Sequence, residues 1–287
     1  MRIAVLSGKG GTGKTFLSVN IASAAKEAVY VDCDVEEPNG RIYFKPHIIS
    51  AETVTQPLPQ VDQSKCNGCE KCVDFCKFNA LAYTGDKLMV FPQLCHSCGG
   101  CLLVCPTKAF TEIPKTLGQV YLGVKDKITV LSAEMKIGEA SGTKLVQNLL
   151  ENSKTYKSFT FIDCPPGTGC LVTESIRDAD YAVLVAEPTL FGAHNLKLVY
   201  DLVTLYEIPF GIIINKSTGE ENPTFAFCRE NNLPIIAEIP YDKKMGEENS
   251  KGKILAEENP KWEKFFSKLL NTIYREAKSE KTAGFKR

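Results

Sequence analysis

Residues 2–15 of this 287-residue chain read RIAVLSGKGGTGKT. Ile3, Ala4, Val5 and Leu6 are apolar without alternation, as expected of a strand buried on both faces of a parallel sheet. Gly8, Gly10, Gly11 and Gly13 follow, interleaved with Lys9 and Thr12 and closed by Lys14 and Thr15. Glycines at this spacing let the backbone turn tightly, so that successive amides point at one anion and the dipole of the next helix adds to the field. In such a loop Lys14 is expected to reach the β and γ phosphates of a nucleotide, and the Thr15 hydroxyl to bind Mg²⁺. The helix itself is expected over residues 14–27, where Phe16, Leu17, Val19, Ile21 and Ala24 are spaced for burial.

Outward from this loop the same rhythm repeats. Apolar runs at 28–32, 128–131, 159–162, 181–186, 210–214 and 234–239 read as buried strands, and helical stretches at 141–152, 171–179, 192–206 and 222–231 separate the later ones. Strands alternating with helices imply an α/β fold, a mostly parallel sheet covered by helices on both faces. Thirty-four basic and thirty-four acidic residues leave a formal charge of zero, so no overall field draws the chain to nucleic acid or to an anionic membrane. No apolar run is long enough to span a bilayer, and Met1-Arg2 leads straight into a strand rather than a signal peptide. The expected location is cytoplasmic. In a reducing compartment, clustered cysteines bind metal rather than form disulfides.

Eight of the twelve cysteines fall in two copies of one spacing: Cys66, Cys69, Cys72, Cys76 and then Cys95, Cys98, Cys101, Cys105. C-x-x-C-x-x-C-x-x-x-C twice over is the spacing by which bacterial-type ferredoxins hold two 4Fe–4S clusters. Three thiolates of one run surround one cluster and the fourth comes from the other run. Cys66, Cys69, Cys72 and Cys105 therefore form one expected ligand set, and Cys95, Cys98, Cys101 and Cys76 the second. Zinc is the competing occupant, since C-x-x-C pairs also build zinc sites. Pro106 follows Cys105 as in the usual repeat, but Lys77 stands after Cys76, which alters the turn and not the ligands. The stretch has too few large aliphatic side chains for a core of its own, so metal is expected to hold it. Its edges are set at the Pro- and Gln-containing segment 56–60 and near 113–118. Residues 1–58 and 115–287 then form the nucleotide domain, and 59–114 a small inserted α+β ferredoxin-like domain.

Lys9, a second lysine inside the loop, resembles the deviant phosphate loop of the MinD/ParA family, which includes the nitrogenase iron protein. Further segments are similar to that family: Asp32-Cys33-Asp34 continuing to Asn39 to its switch I, and 161–167 (FIDCPPG) to its Walker B and switch II segment. Asn215-Lys216 is similar to its adenine-contacting position, and Ile239-Pro240-Tyr241-Asp242 to a second base-side loop. With the cysteine stretch included, the chain resembles MinD-superfamily ATPases that carry an inserted ferredoxin domain. The resemblance implies that Asp163 and Asp32 support Mg²⁺ with Thr15, that Asp34 orients the attacking water, and that Gly167 approaches the γ-phosphate. It further implies that Asn215, Pro240 and Asp242 face the base, and that Lys9 crosses a homodimer interface to the partner's nucleotide. Cys170 falls where the nitrogenase iron protein has one ligand of a subunit-bridging cluster, but the second such position falls near Ala140. Cys33 and Cys228 sit among apolar residues and read as core.

At the C-terminal end Trp262, Phe265, Phe266, Leu269, Leu270 and Ile273 form one helical stripe, expected to pack on the sheet rather than on lipid. The tail beyond Lys278 is expected to be irregular. The functional expectation is a dimeric ATPase with ATP, Mg²⁺ and two 4Fe–4S clusters, acting on an unidentified redox or cluster-acceptor protein. ATP-gated electron transfer comes first, ATP-dependent assembly of a metal cluster in a partner second. Spatial positioning comes last, because it leaves the clusters without a purpose. Binding to nucleic acid and stable membrane association are not expected.

Overall fold

The protein is described by a computed structural model that covers residues 1–283. In chain order the elements are β1 (Arg2–Leu6), α1 (Lys14–Ala24), β2 (Ala28–Asp32), α2 (Gly40–Phe44), β3 (His47–Val61), α3 (Lys71–Phe75), β4 (Leu81–Thr84), β5 (Lys87–Val90), α4 (Gly100–Val104), β6 (Phe110–Lys125) and β7 (Ile128–Met135). They continue with α5 (Thr143–Ser153), β8 (Phe159–Asp163), α6 (Cys170–Ile176), β9 (Tyr181–Ala186), α7 (Leu190–Leu205), β10 (Phe210–Ser217), α8 (Pro223–Glu230), β11 (Ile235–Pro240), α9 (Lys243–Ser250), α10 (Leu255–Glu258) and α11 (Pro260–Ala283).

Nine strands form one sheet in the order β11-β10-β9-β1-β8-β2-β7-β6-β3. From β11 to β7 every pairing is parallel, and only β6 and β3 run antiparallel at the edge. The absence of alternation in the central strands has a direct cause. Ala4, Leu6, Val29 and Val31 enter the core beneath α5 to α8, while Ile3, Val5, Ala28 and Tyr30 enter the core beneath α1 and α11. Both faces are covered, so every position is apolar. The stripe on α11 joins the second core, with Phe266 and Ile273 fully buried and Phe266 edge-on to Phe16 of α1. Among the described residues no helix is long and apolar enough to cross a membrane.

Three local expectations change. Helix α1 stops at Ala24 rather than 27, because Lys26 takes a left-handed turn at φ 61° to bring the chain into β2. The tail does not fray at Lys278. Residues 279–283 contain no glycine or proline and extend α11, while positions 284–287 lie outside the described residues. Segment 56–60, the expected left edge of the cysteine stretch, lies inside the long strand β3, which pairs with β6 from His47 opposite Val124 to Val61 opposite Phe110. Prolines normally argue against a strand interior, but in a two-stranded ribbon their missing N–H can face outward. Pro57 lies opposite Pro114, at the level where the domain edges were placed. The ribbon leaves the antiparallel edge of the sheet and carries the cysteine stretch between its two arms.

Candidate functional site

The glycine loop connects the C-terminal end of β1 to α1. Ser7 Oγ and Thr12 Oγ1 both donate to the Lys9 carbonyl, at 2.7 and 3.0 Å, and close the loop on itself. Gly11 and Gly13 have φ of 74° and 99°, and a Cβ on Gly13 would also collide with the Asn215 amide. Helix α1 opens on Gly13 with no side chain accepting from its first amides and no acid in its first turn. Those free N–H groups and the helix dipole favour an anion at this end. Lys14 is buried at the first helical position, Thr15 is half-buried beside it, and Gly10 and Gly11 are exposed at the rim.

Beside the loop, Asp32 and Asp163 lie in register at the ends of neighbouring strands. Their hydrogen bonding separates their roles. Both Asp32 oxygens accept backbone amides, from Gly40 at 2.7 Å and Asp34 at 3.2 Å, so this carboxylate clamps the 34–40 segment. Asp163 accepts the Tyr30 hydroxyl on Oδ2 at 2.8 Å, while its buried Oδ1 has no partner. An orphaned buried carboxylate oxygen beside Thr15 fits a divalent cation, and Asp163 rather than Asp32 has the free atom. Burial raises both carboxyls, and Thr15 and Lys14 pull Asp163 back.

Asp34 is half-buried, and burial pushes its pKa up to about 6 despite the Glu37 amide and the nearby Lys14. A carboxylate with that value is ionised above about pH 6 and loses its ability to accept a proton below it. If Asp34 handles the attacking water, kcat/KM for ATP will show an acid limb with its inflection near pH 6. The Asp34→Asn variant will lack that limb, and a limb persisting in it assigns the titration elsewhere.

A cavity of about 200 Å³ next to the loop is lined by Phe16, Asn215, Tyr241, Asp242, Met245 and Asn249, among others. Asn215 Nδ2 donates to the Thr12 carbonyl at 2.8 Å, and its buried Oδ1 is without a partner. Asp242 lines the cavity, but its carboxylate caps α9 by accepting the Met245 amide at 3.1 Å. Pro240 ends β11 opposite Ser217, exposed, and is not among the cavity-lining residues. Gly167 donates its amide to the Ser7 carbonyl at 3.0 Å, which brings the segment after β8 against the loop. Lys9 forms an ion pair with Glu187 and lies 5.5 Å from the Phe191 ring centroid. Glu187 also pairs with Lys216, whose Nζ donates to the Gly11 carbonyl at 2.8 Å. Sequence reasoning missed Glu187 and Tyr30. Glu187 directly follows an apolar strand, as the 32–34 segment does, and that position at a strand's carboxyl end was the available signal.

In the cysteine stretch the two runs adopt the same backbone. Gly68 and Ser97, Glu70 and Gly99, and Asn79 and Lys108 all take positive φ at matching points, and α3 and α4 occupy matching positions. Matching amides, Ala80 and Ala109, donate to the sulfurs of Cys76 and Cys105 at 3.4 and 3.3 Å. Two cavities sort the thiols. Cys66, Cys69, Cys72 and Cys105 line the smaller one, and Cys76, Cys95, Cys98 and Cys101 line the other, of about 140 Å³. Each cavity thus takes three thiols from one run and one from the other. Among the described residues no three His, Cys, Asp or Glu side chains converge tightly enough for a single metal ion. Four thiols is the ligand count of a 4Fe–4S group and equally of a structural zinc site. The lobe's own core is small: Leu81, Leu88 and Phe110 pack with Cys72 and other cysteines of the two runs. Burial pushes the Cys101 thiol up to about 11, so metal loading there displaces a proton. His96 stacks on Phe78 across the two runs, with ring centroids 3.9 Å apart. Cys33, Cys164 and Cys228 are core residues and Cys170 is exposed at the start of α6.

Specific contacts join the lobe to the nucleotide site. Lys115 on β6 donates to the Pro92 carbonyl, near Cys95, at 2.7 Å and forms an ion pair with Glu139 of the loop after β7. That loop ends at Gly142, where a Cβ would collide with Val35, and the Met135 amide donates to the Val35 carbonyl at 2.8 Å. Arg41, in α2 just beyond the 34–39 segment, pairs with Glu134 of β7 and lies 4.3 Å from the Tyr121 ring of β6.

A left-handed glycine loop between a parallel strand and an uncapped helix, flanked by strand-end carboxylates, defines a phosphate-loop nucleotide-binding fold. Residues 3–255 match the CobQ/CobB/MinD/ParA nucleotide binding domain, and the chain belongs to that family. It is 29% identical over 245 residues to an uncharacterized protein of Methanocaldococcus jannaschii, covering 84% of this chain and 86% of that one. The iron-sulfur cluster carrier protein of the same organism is 24% identical over 303 residues, with 98% and 86% covered. An uncharacterized ferredoxin from that organism is 40% identical over 53 residues, which are 17% of this chain and 69% of the ferredoxin. Among solved structures, the septum site-determining protein MinD of Pyrococcus horikoshii, complexed with Mg-ADP, superposes with a TM-score of 0.60 at 19% identity, covering 100% of this chain and 98% of that one. That likeness is one of fold.

Proposed function

We propose that this protein binds and hydrolyses Mg·ATP as a homodimer, and that its nucleotide state governs a two-cluster 4Fe–4S module delivering electrons to a partner protein. The observation that carries the proposal is the sorting of eight thiols into two crossed four-thiol cavities within a nucleotide-binding chain. Bound there, each cluster would supply a reversible one-electron carrier. Lys14 and the loop amides hold the phosphates, Asp163 Oδ1 and Thr15 face the metal ion, Asn215 faces the base, and Asp34 accepts a proton from water. Lys9 would leave Glu187 and reach the partner's nucleotide. The exposed apolar side chains of Leu190 and Phe191 beside it suit a protein interface. Residues 59–114 act as the redox module, and the contacts from Val35 through Gly142 and Glu139 to Lys115 and Pro92 supply a route for switch I to act on it.

The test is electron paramagnetic resonance of the dithionite-reduced protein, purified without oxygen, with and without Mg·ATP. Under this proposal ATP shifts the cluster signals or potentials, and Lys115→Met, which cuts the link to Pro92 and Glu139, reduces that shift while leaving the iron content intact. Signals indifferent to nucleotide would overturn the gating. Similarity to proteins named iron-sulfur cluster carriers favours a second reading, assembly of a cluster in an acceptor. In that case iron and sulfide move from this protein to an apo-ferredoxin during ATP turnover, and in electron transfer they stay.

A further inference from the structure

We infer that Tyr30 is a positioning residue for the metal-facing carboxylate, holding one oxygen of Asp163 so that the other is presented to the cation. The inference rests on the nucleotide reading of the site. Tyr30 occupies a central strand position between Val29 and Val31, where a buried aliphatic side chain would serve packing equally well. It is fully buried, and its hydroxyl reaches across 133 residues of sequence to Asp163 Oδ2 at 2.8 Å. A buried phenol needs a partner, and this one donates to the carboxylate whose second oxygen is orphaned.

The ring itself is braced. It packs on Phe44 with centroids 5.0 Å apart, and the face of Gly40 lies so close that any Cβ there would strike it. Gly40 in turn donates its amide to Asp32. Tyr30 therefore touches the metal-facing carboxylate and the first residue of α2 at once. Partners that orient a metal-binding carboxylate typically change metal affinity by about 10- to 100-fold when removed.

The experiment is a titration of ADP binding, at fixed Mg²⁺ levels and in excess EDTA, on the wild-type protein and on Tyr30→Phe. Phenylalanine keeps the ring packing and removes only the hydroxyl. The expected result is a Mg²⁺ concentration for half-maximal tightening of ADP raised by about 10-fold, with the Mg²⁺-free ADP affinity unchanged. Gly40→Ala, whose Cβ collides with the intact ring and displaces it, will shift the Mg²⁺ dependence in the same direction. An identical Mg²⁺ dependence in wild type and Tyr30→Phe overturns the inference alone. Equal loss of ADP affinity with and without Mg²⁺ also overturns it, because that is the mark of a packing role. A wild-type protein whose ADP affinity ignores Mg²⁺ overturns the site reading and this inference together.

Discussion

Lys9→Ala will lower ATP turnover by about 10³-fold or more while nucleotide affinity stays close to that of the wild type. A cation brought in by a partner molecule acts on charge that develops in the transition state, and such fingers are worth about 10³–10⁵ in rate, or roughly 4–7 kcal/mol. The structure explains why the fold should survive. Lys9 is partly exposed and bound to Glu187, and Lys216 remains paired with Glu187 after Lys9 is gone. Loop closure depends on the Lys9 carbonyl, which accepts from Ser7 and Thr12 and is untouched by the substitution. Steady-state hydrolysis and equilibrium binding of a fluorescent ATP analogue separate the two effects. Mixing Lys9→Ala with Asp34→Asn adds a direct test of action in trans. A mixed dimer pairs an intact Asp34 with the other protomer's Lys9 and recovers activity well above that of either variant alone. Unchanged turnover in Lys9→Ala refutes the sandwich arrangement.

The second large effect concerns iron. Cys105→Ala will lose about half of the bound iron and sulfide, and so will Cys69→Ala, because the two thiols line the same cavity. The double variant Cys69→Ala/Cys105→Ala will lose no more than either single one. Cys98→Ala/Cys105→Ala will lose nearly all, since Cys98 lines the other cavity. Residues within one unit behave non-additively and residues of separate units add, so the pattern reads the crossing without a structure of the loaded protein. Loss patterns that follow the sequence runs, with Cys98 and Cys105 acting as one unit, would reject the crossed sets. Material isolated without oxygen that holds stoichiometric zinc and little iron rejects the redox proposal as a whole.

Much of this protein was legible because the signals are local. An apolar strand followed by glycines at fixed spacing specifies a loop conformation through backbone sterics alone, and Gly11 and Gly13 do take the left-handed values that glycine tolerates. The continuous apolar runs of the central strands report two-sided burial whatever their partners are. The edge of the sheet was not legible. β3 reads as polar, with exposed and buried positions mixed and two prolines inside it, and only pairing with β6 makes it a strand. β-structure depends on a partner that the local sequence does not contain.

The same distinction runs through the site. Residue types and spacing by themselves determined the phosphate loop, the α/β class, and the presence of two thiol runs of matching spacing. Tertiary structure alone decided that Asp163 keeps a free oxygen while Asp32 spends both on backbone amides, and that Tyr30 and Glu187 lie beside the loop and its carboxylates. The physical reason is range. Dihedral preferences and burial periodicity act over a few residues and are written in the local chain, whereas a hydrogen bond or a shared cavity is set by which distant groups the packed sheet brings within about 3 Å of one another.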